Sequence, residues 1–376
     1  MNPDALLAQF DDELFAFLHR ERPRSETFRR MVADHMDWRA WDDGRPTAPD
    51  ARGKRVRPLL SLLTARAIGA DHRAAIPAAI AVQLVHDFSI ILDDIMDRDR
   101  TRRNRPALWV SHGTGHAMTA AAGIYVVGLD ALQDYPDQGL THTATRDLTR
   151  TLLESCLEMA DAQHLDLDWE QRFDITLDEV RTVALGRSCL IRCGIELAAA
   201  VSTPDREIRA AFREFGALVA TAFSIVDDHR GLWGSEERNG KPLHSDLRGH
   251  KKTYPVVAGQ LACAPAERSR LRDLLAHPEP GDHETAEIMR LLDGADAAGA
   301  TLREVERLRA LAVERLRTPP LTRCAVADLV DLTRRLFATP TPTPTPTPAP
   351  ATAPAPAPAS AERRTPHGNA PSGQRR

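Results

Sequence analysis

The chain has 376 residues, of which 42% are hydrophobic, so it can bury a sizeable core. Its 49 lysines and arginines are nearly balanced by 53 aspartates and glutamates, which leaves a formal net charge of -4. This balance does not favour a nucleic acid or a membrane surface as a partner, and any cationic site has to be local.

The amino-terminal segment MNPDALLAQFDDELFAFL carries acidic residues among its apolar ones and lacks a basic start, so it does not resemble a signal peptide. No stretch approaches the roughly 18 consecutive apolar residues that a membrane-spanning helix needs. We therefore expect a cytoplasmic protein without a transmembrane segment. The cysteines are scattered and odd in number, which favours free, buried thiols. They are Cys156, Cys189, Cys193, Cys263 and Cys324.

The apolar residues between Pro3 and Phe337 recur with helical spacing almost throughout. Segments such as RPLLSLLTARAIGA and AAIPAAIAVQLVHDFSIILDDIMD are rich in Ala and Leu and are too long for strands. Turn signals such as Ser202-Thr203-Pro204 separate the segments at helix-length intervals. The sequence thus predicts an all-α fold, a single large helical bundle that occupies residues 1–337.

The composition changes in the segment from Ala338 to Arg376, which consists of Thr-Pro repeats, Ala-Pro repeats and a polar end. Almost nothing in it is apolar enough to offset the entropy lost on ordering the chain. Residues 338–376 are therefore predicted to be disordered, with a polyproline-II bias. Two interpretations of this tail remain open, a solubilising spacer and a docking segment for a protein partner.

An acidic cluster follows the apolar run VQLVHDFSIIL. Asp93 and Asp97 are four residues apart and Asp94 is three from Asp97, so on a helix their carboxylates converge. Such a cluster needs a compensating cation, and hard oxygen ligands suit Mg2+ that bridges to a phosphate. The alternative is a solvated acidic helix end that the following arginines balance.

A second acidic pair, Asp227 and Asp228, also follows a long apolar helical stretch and precedes a glycine-containing break. Its placement repeats that of the first cluster. Two helices of a bundle that each end in paired carboxylates can face each other across a cavity and hold several metal ions. The recurrence favours a metal site over a chance pair.

Basic residues accompany both acidic clusters. Lys54 and Arg57 are three residues apart at a predicted helix start, where backbone N–H groups and the helix dipole favour phosphate. Single basic pairs usually belong to the solvated surface, so it is the association with acidic clusters that favours a phosphate site. The other basic residues near these clusters or beside small residues are Arg102, Arg103, Arg187, Lys241 and Lys251.

Together these motifs resemble the polyprenyl synthetase family of trans-isoprenyl diphosphate synthases. GKRVRP is similar to the family's GKxxRP element, which implies that Lys54 and Arg57 bind isopentenyl diphosphate. QLVHDFSIILDDIMD resembles the helix with the first Asp-rich motif and implies His86 as a further diphosphate contact. FSIVDD resembles the second Asp-rich motif. The implied metal ligands are Asp93, Asp94, Asp97, Asp227 and Asp228.

Further segments carry the same resemblance. RRNRP is similar to RRGxP, which implies that Arg102 and Arg103 clamp phosphate. NGKPLHSDLRGHKKT resembles the flank of the second motif and implies phosphate contacts by Lys241 and Lys251. The pair Arg187-Ser188 stands where the family has Lys-Thr. AQHLDL is similar to GQxxDL, and the residues in the matching places are Gln163 and Asp166.

Some positions depart from the family pattern. Gly231 stands where the second motif usually has a third Asp, and Ser224 replaces a Gln. Gly123-Ile124-Tyr125 replaces the frequent Gly-Asp-Ala. The first acidic cluster is intact, so the departures concern the second cluster and the substrate pocket.

The resemblance implies a Mg2+-dependent prenyltransferase that joins an allylic diphosphate to isopentenyl diphosphate and works as a homodimer. Phe88 lies five residues before Asp93 and is either the floor of the product pocket, which suggests a C15 to C20 product, or ordinary core. One alternative is a terpene cyclase, against which the second-substrate residues argue. The other is a weakly active homologue that serves as a partner or regulatory subunit. An encapsulating protein shell is a candidate partner of the tail.

Overall fold

The computed structural model describes residues 2–21, 25–46, 53–103, 105–135, 139–235, 243–278, 280–317 and 321–338. Lys241 and residues 339–376 lie outside these ranges. The predicted phosphate contact of Lys241, the domain boundary at residue 337 and the disorder of the tail therefore stay predictions.

The described chain is almost entirely helical, which confirms the all-α prediction. The helices are α1 (Pro3–Glu21), α2 (Glu26–Met36), α3 (Val56–Ile68), α4 (Ile76–Met96), α5 (Leu108–His112), α6 (Thr114–Asp130), α7 (His142–Asp168), α8 (Leu177–Arg187), α9 (Cys189–Ser202), α10 (Arg206–Trp233), α11 (Ser245–Arg248), α12 (Tyr254–Ala262), α13 (Pro265–Leu275), α14 (Asp282–Gly294), α15 (Ala297–Arg315) and α16 (Arg323–Phe337). Short 3-10 turns occupy His72–Ala75, Ala131–Asp134 and Trp169–Gln171.

Two small antiparallel hairpins interrupt the helices. The first pairs β1 (Trp38–Ala40) with β2 (Asp43–Pro46), and the second pairs β3 (Thr101–Arg102) with β4 (Arg105–Pro106). Neither hairpin is predicted from the sequence, because strands of two to four residues are too short to show an alternating pattern.

The core forms around α3, α4, α9 and α10, whose apolar side chains cover most of their faces. Close approach of α4 and α6 depends on Gly128, because a Cβ atom there would lie 3.0 Å from the Cβ atom of Leu84. A smaller hydrophobic cluster beyond the end of α10 buries Leu232, Leu247 and Val256, and so fixes α11 and α12 beside that end.

The segment His72–Met96, which includes α4, is long and apolar enough to cross a membrane, with a mean hydropathy of 1.7 over its most apolar window. However, 72% of that window is buried inside the protein, as is typical of a core helix.

The prediction of free thiols is confirmed for Cys189, Cys193 and Cys263, which are also buried, and for Cys156, which is half-buried.

Candidate functional site

The first acidic cluster lies at the carboxyl end of α4. Asp94 is buried and accepts a hydrogen bond from Arg102 Nε at 2.9 Å, so the alternative of a solvated helix end does not describe it. Asp97 is exposed and accepts a hydrogen bond of 2.9 Å from Lys251 Nζ, whereas Asp93 is half-exposed. The cluster therefore contacts a lysine that is 154 residues away in the chain.

The second acidic pair lies near the end of α10. Arg187 Nη2, at the end of α8, donates to the two oxygens of Asp228 at 3.0 and 2.8 Å. Burial raises the pKa of Asp228 to about 6, although Arg187 opposes this shift. Asp227, by contrast, is exposed, so its carboxylate is accessible from solvent.

Lys251 connects the two clusters, because it follows the second motif in the chain and contacts the first. Although burial lowers the pKa of Lys251, the nearby carboxylates of Asp246 and Asp97 raise it above its ordinary value. Burial also lowers the pKa of Arg187, but Asp228 and Asp166 raise it. These shared partners place the ends of α4, α7, α8 and α10 around one charged region.

Asp246 is a site residue that the sequence analysis missed. A Cβ atom at Gly231 would lie 3.3 Å from Asp246 Oδ2, so the carboxylate lies where the third side chain of the second motif would point. Asp246 also raises the pKa of the neighbouring Asp228. The sequence signal for Asp246 is the missing acid at Gly231, because a motif that lacks one carboxylate needs another from a flanking segment.

The predicted contacts for isopentenyl diphosphate meet between α3 and α4. Arg57 Nη1 donates to His86 Nε2 at 2.8 Å, and burial holds the pKa of His86 well below its usual range. The imidazole is therefore neutral, and its proton is assigned to Nδ1 because Arg57 can only donate. Within the described residues the buried Nε atom of Arg57 has no hydrogen-bond partner, which leaves it available to an anion. Lys54 is exposed beside this pair.

The hairpin of β3 and β4 carries the predicted phosphate clamps. Arg102 contacts Asp94, and Arg103 has a left-handed backbone with φ of 51°. The guanidinium carbon of Arg103 lies 3.1 Å from the position of a Cβ atom at Gly53, which itself has φ of 69°. The hairpin therefore lies against the loop that leads to Lys54.

The remaining predicted residues lie around Arg187. Ser188 is buried at the junction of α8 and α9. Asp166 is buried on α7 and lies 3.8 Å from Arg187 Nε, while Gln163 is half-buried one turn earlier. The structure thus brings Asp166 and Arg187 together, as well as Arg187 and Asp228.

Phe88 contacts an aromatic residue of the neighbouring helix. Its ring centroid lies 4.8 Å from that of Tyr125 on α6, with 37° between the ring planes. Burial, and after it the nearby Cys156 thiol of α7, raise the pKa of the Tyr125 hydroxyl to about 12. The departure at Gly123-Ile124-Tyr125 thus adds a second ring beside Phe88.

The carboxylate oxygens of the two acidic clusters are donors of the kind that Mg2+ prefers. Within the described residues no three His, Cys, Asp or Glu side chains are grouped closely enough to hold a metal ion by themselves. Mg2+ usually keeps several waters and binds through one or two carboxylates plus substrate phosphates, so a cage made by the protein alone is not required. The accessible oxygen donors are those of Asp93, Asp97 and Asp227.

Two surface grooves lie away from these clusters. One of about 510 Å3 runs along α7 and includes Leu153 and Leu157. The other, of about 310 Å3, lies beside the start of α8 and includes Arg181 and Arg272. Neither groove is lined by the predicted metal or diphosphate residues.

Comparison with known proteins gives consistent matches. The family model described as polyprenyl synthetase matches residues 47–292. A (2E,6E)-farnesyl diphosphate synthase of Mycobacterium tuberculosis is 38% identical over 232 residues, which cover 61% of this chain and 62% of that protein. A geranylgeranyl diphosphate synthase of the same organism is 34% identical over 256 residues, 68% of this chain and 71% of that protein. The match thus spans less than two thirds of the farnesyl relative.

A solved structure agrees with the fold. The crystal structure of a polyprenyl synthetase from Streptomyces coelicolor A3(2) has a TM-score of 0.77 to this chain at 28% identity. The match covers 90% of this chain and 100% of that one.

Proposed function

Because the chain belongs to the polyprenyl synthetase family, we propose that it is a trans-prenyltransferase that joins an allylic diphosphate to isopentenyl diphosphate. The observation that carries this proposal is the 2.9 Å hydrogen bond from Lys251 to Asp97, since it joins the region of the second acidic motif to the first. Two acidic clusters, each near basic side chains, suit two diphosphates and the cations that neutralise them.

Mg2+ is the proposed cofactor, and when bound it supplies Lewis-acid stabilisation of the diphosphate leaving group. The residues proposed to hold it are Asp93, Asp97 and Asp227, with Asp94 and Asp228 contributing once their arginine partners turn to substrate. Both arginines are half-buried next to these acids, so the exchange needs rotation of side chains only.

The basic residues are proposed to position the two substrates. Arg57, neutral His86 and Lys54 hold isopentenyl diphosphate, and the free Nε atom of Arg57 supports this role. The residues proposed to bind the allylic diphosphate are Arg102, Arg103, Arg187, Ser188, Lys241 and Lys251. Their contribution is proximity and orientation of the two reacting carbons.

The apolar faces of α4 and α10 are proposed to exclude water from the reaction. Departure of diphosphate leaves an allylic cation, which the double bond of isopentenyl diphosphate captures before water can. The new cation then loses a proton to the released diphosphate, which forms the product double bond. We propose a C15 to C20 product, which agrees with the farnesyl and geranylgeranyl products in the names of the relatives. The Phe88 and Tyr125 rings are candidates for the floor that limits the chain.

Two further features belong to this proposal. We expect a cytoplasmic homodimer, and exposed Val126 and Leu157 on α6 and α7 support the pairing of two copies.

The tail beyond residue 338 is proposed as a spacer or as a docking segment for a shell protein. Comparing tailed and Ala338-truncated protein co-expressed with a candidate shell separates the two.

The test is an assay of purified protein with Mg2+, labelled isopentenyl diphosphate and each short allylic diphosphate in turn. We expect elongated diphosphates, no product when EDTA removes the metal, and a fall in kcat/KM of at least about 100-fold for Asp93→Asn and Asp227→Asn. Asp282→Asn is the matched control, because its carboxylate is exposed and pairs with the surface residue Arg248.

The other outcomes separate the alternatives. A cyclic hydrocarbon made from the allylic substrate alone would identify a terpene cyclase, against which the Arg57–His86 pair argues. A folded protein that makes no product from any primer would instead favour a partner or regulatory subunit.

A further inference from the structure

The hairpin that carries Arg102 and Arg103 cannot hold its own shape. Its strands β3 and β4 have two residues each. Isolated two-stranded hairpins are at best marginally stable in water, and this one is shorter than most. The orientation of both arginines therefore depends on contacts with the rest of the protein.

Two ionic contacts hold opposite strands of this hairpin. On β3, Arg102 donates to Asp94 at the end of α4. On β4, Arg105 forms an ion pair with Asp37, the residue that follows α2 and caps its carboxyl end. Arg102 and Arg105 are direct cross-strand partners, so each contact constrains the position of the other arginine.

Asp37 is itself firmly placed. It lies between buried Met36 and Trp38, and the Trp38 ring packs 5.3 Å from that of Phe15. Its backbone has φ of 59°, and its N–H group caps the last turn of α2. Only 8% of its side chain is exposed, so the carboxylate needs a cationic partner.

The two contacts differ in what happens to them when substrate binds. Arg102 has to leave Asp94 if it is to grip a diphosphate, and the first contact is then lost. The contact between Asp37 and Arg105 involves no residue that the proposed function assigns to substrate. We propose that Asp37 is a positioning residue for the diphosphate clamp, acting through Arg105 to fix the hairpin while Arg102 and Arg103 hold substrate.

This inference rests on the clamp role given to Arg102 and Arg103 in the proposed function. It extends the site to α2, which lies outside residues 47–292 of the family match. Other side chains of α2 reach the same region. His35 Nε2 lies 3.2 Å from Asp87 on α4, and Asp34 lies 2.7 Å from His112 Nε2 on α5.

Asp37→Asn tests the proposal, because Asn keeps the size of the side chain and tolerates the left-handed backbone. We expect KM for geranyl diphosphate to rise about 10-fold or more, since small errors in positioning cost that much or more. The value of kcat at saturation should change less than twofold. The melting temperature without substrate should stay close to wild type, because the Arg102 contact is then intact.

Arg105→Gln removes the same contact from the exposed side. Because it leaves the buried Asp37 carboxylate without this cationic partner, its melting temperature is measured beside its KM, and KM is compared only at temperatures where the variant is folded. The double variant should be no worse than either single one, because both act through one pair. Asp34→Asn is the matched control, since it breaks a contact of α2 that does not involve the hairpin, and its KM should equal that of wild type.

Arg102→Gln separates this inference from the proposed function. An unchanged KM in Arg102→Gln would remove the clamp role itself. A raised KM in Arg102→Gln together with unchanged values in Asp37→Asn and Arg105→Gln would overturn the positioning role alone. Additive effects of the two single variants would overturn it as well.

Discussion

Gly231 stands one helical turn after Asp227, at the third position of the second acidic motif. A side chain there would point at Asp246, whose Oδ2 atom would be 3.3 Å from its Cβ atom. An acid at this position would put three carboxylates side by side with Asp228 and Asp246. The chain instead has one fewer carboxylate on α10 and places the Asp246 carboxylate of the short helix α11 at that position.

Gly231→Asp is expected to destabilise the metal-free protein relative to Gly231→Asn, which has the same size but no charge. The difference in free energy of unfolding should be about 1 kcal/mol or more, the Coulomb energy of two like charges about 4 Å apart in water. Urea denaturation at pH 8 with EDTA measures it, since Asp228 is ionised there. Saturating Mg2+ should reduce the difference in free energy of unfolding between the two variants.

Equal stability of the two variants in EDTA would show that the Asp246 carboxylate does not face position 231. In that case the missing third acid would have no replacement on α11.

At the scale of helices, α4 and α6 approach closely at Leu84 and Gly128 and carry contacting rings at Phe88 and Tyr125 one turn nearer the acidic cluster. A chain that grows from the acidic end between these helices would meet the rings first. The Tyr125 hydroxyl also lies near the Cys156 thiol of α7. This arrangement favours the floor interpretation over ordinary core.

Phe88→Ala and Tyr125→Ala are each expected to lengthen the product by at least one isoprene unit, because each removes one of the two rings proposed to limit the chain. The double variant should give the longest products. Product analysis with labelled isopentenyl diphosphate measures the lengths. Tyr125→Phe is the control, as it keeps the ring and should leave product length unchanged. Unchanged lengths in both alanine variants would make the two rings ordinary core.

The sequence predicted what depends on local pattern. The helices follow from apolar spacing, and the two acidic clusters were found because each ends its own apolar run. Two contacts were not predicted from the sequence. One brings Asp246 against Gly231, and the other pairs Asp37 with Arg105. They join residues whose proximity is set by how helices and loops pack, and no local pattern records that.

For the molecule as a whole, the outward faces of α6 and α7 stand out. Met118 and Val126 lie eight residues apart on α6, about two helical turns, and are 52% and 64% exposed. Leu153 and Leu157 lie one turn apart on α7 beside the groove of about 510 Å3. The Tyr125 hydroxyl of α6 lies near the Cys156 thiol of α7, so the exposed residues belong to neighbouring elements. Exposed apolar side chains on adjacent helices indicate a protein interface, and a second copy is the proposed occupant.

Val126→Lys combined with Leu157→Lys is expected to convert a dimer into a monomer, because burying two ammonium groups in an apolar interface is costly. Light scattering coupled to gel filtration measures the mass, which should fall from twice 41.4 kDa to 41.4 kDa. Leu311→Lys on α15 is the matched control, since it changes an exposed leucine on another face and should leave the dimer intact. A wild-type protein that is already monomeric would contradict the dimer. A double lysine variant that stays dimeric would place the dimer interface elsewhere. Because the site residues described above all come from one chain, the separated monomer should still bind diphosphate.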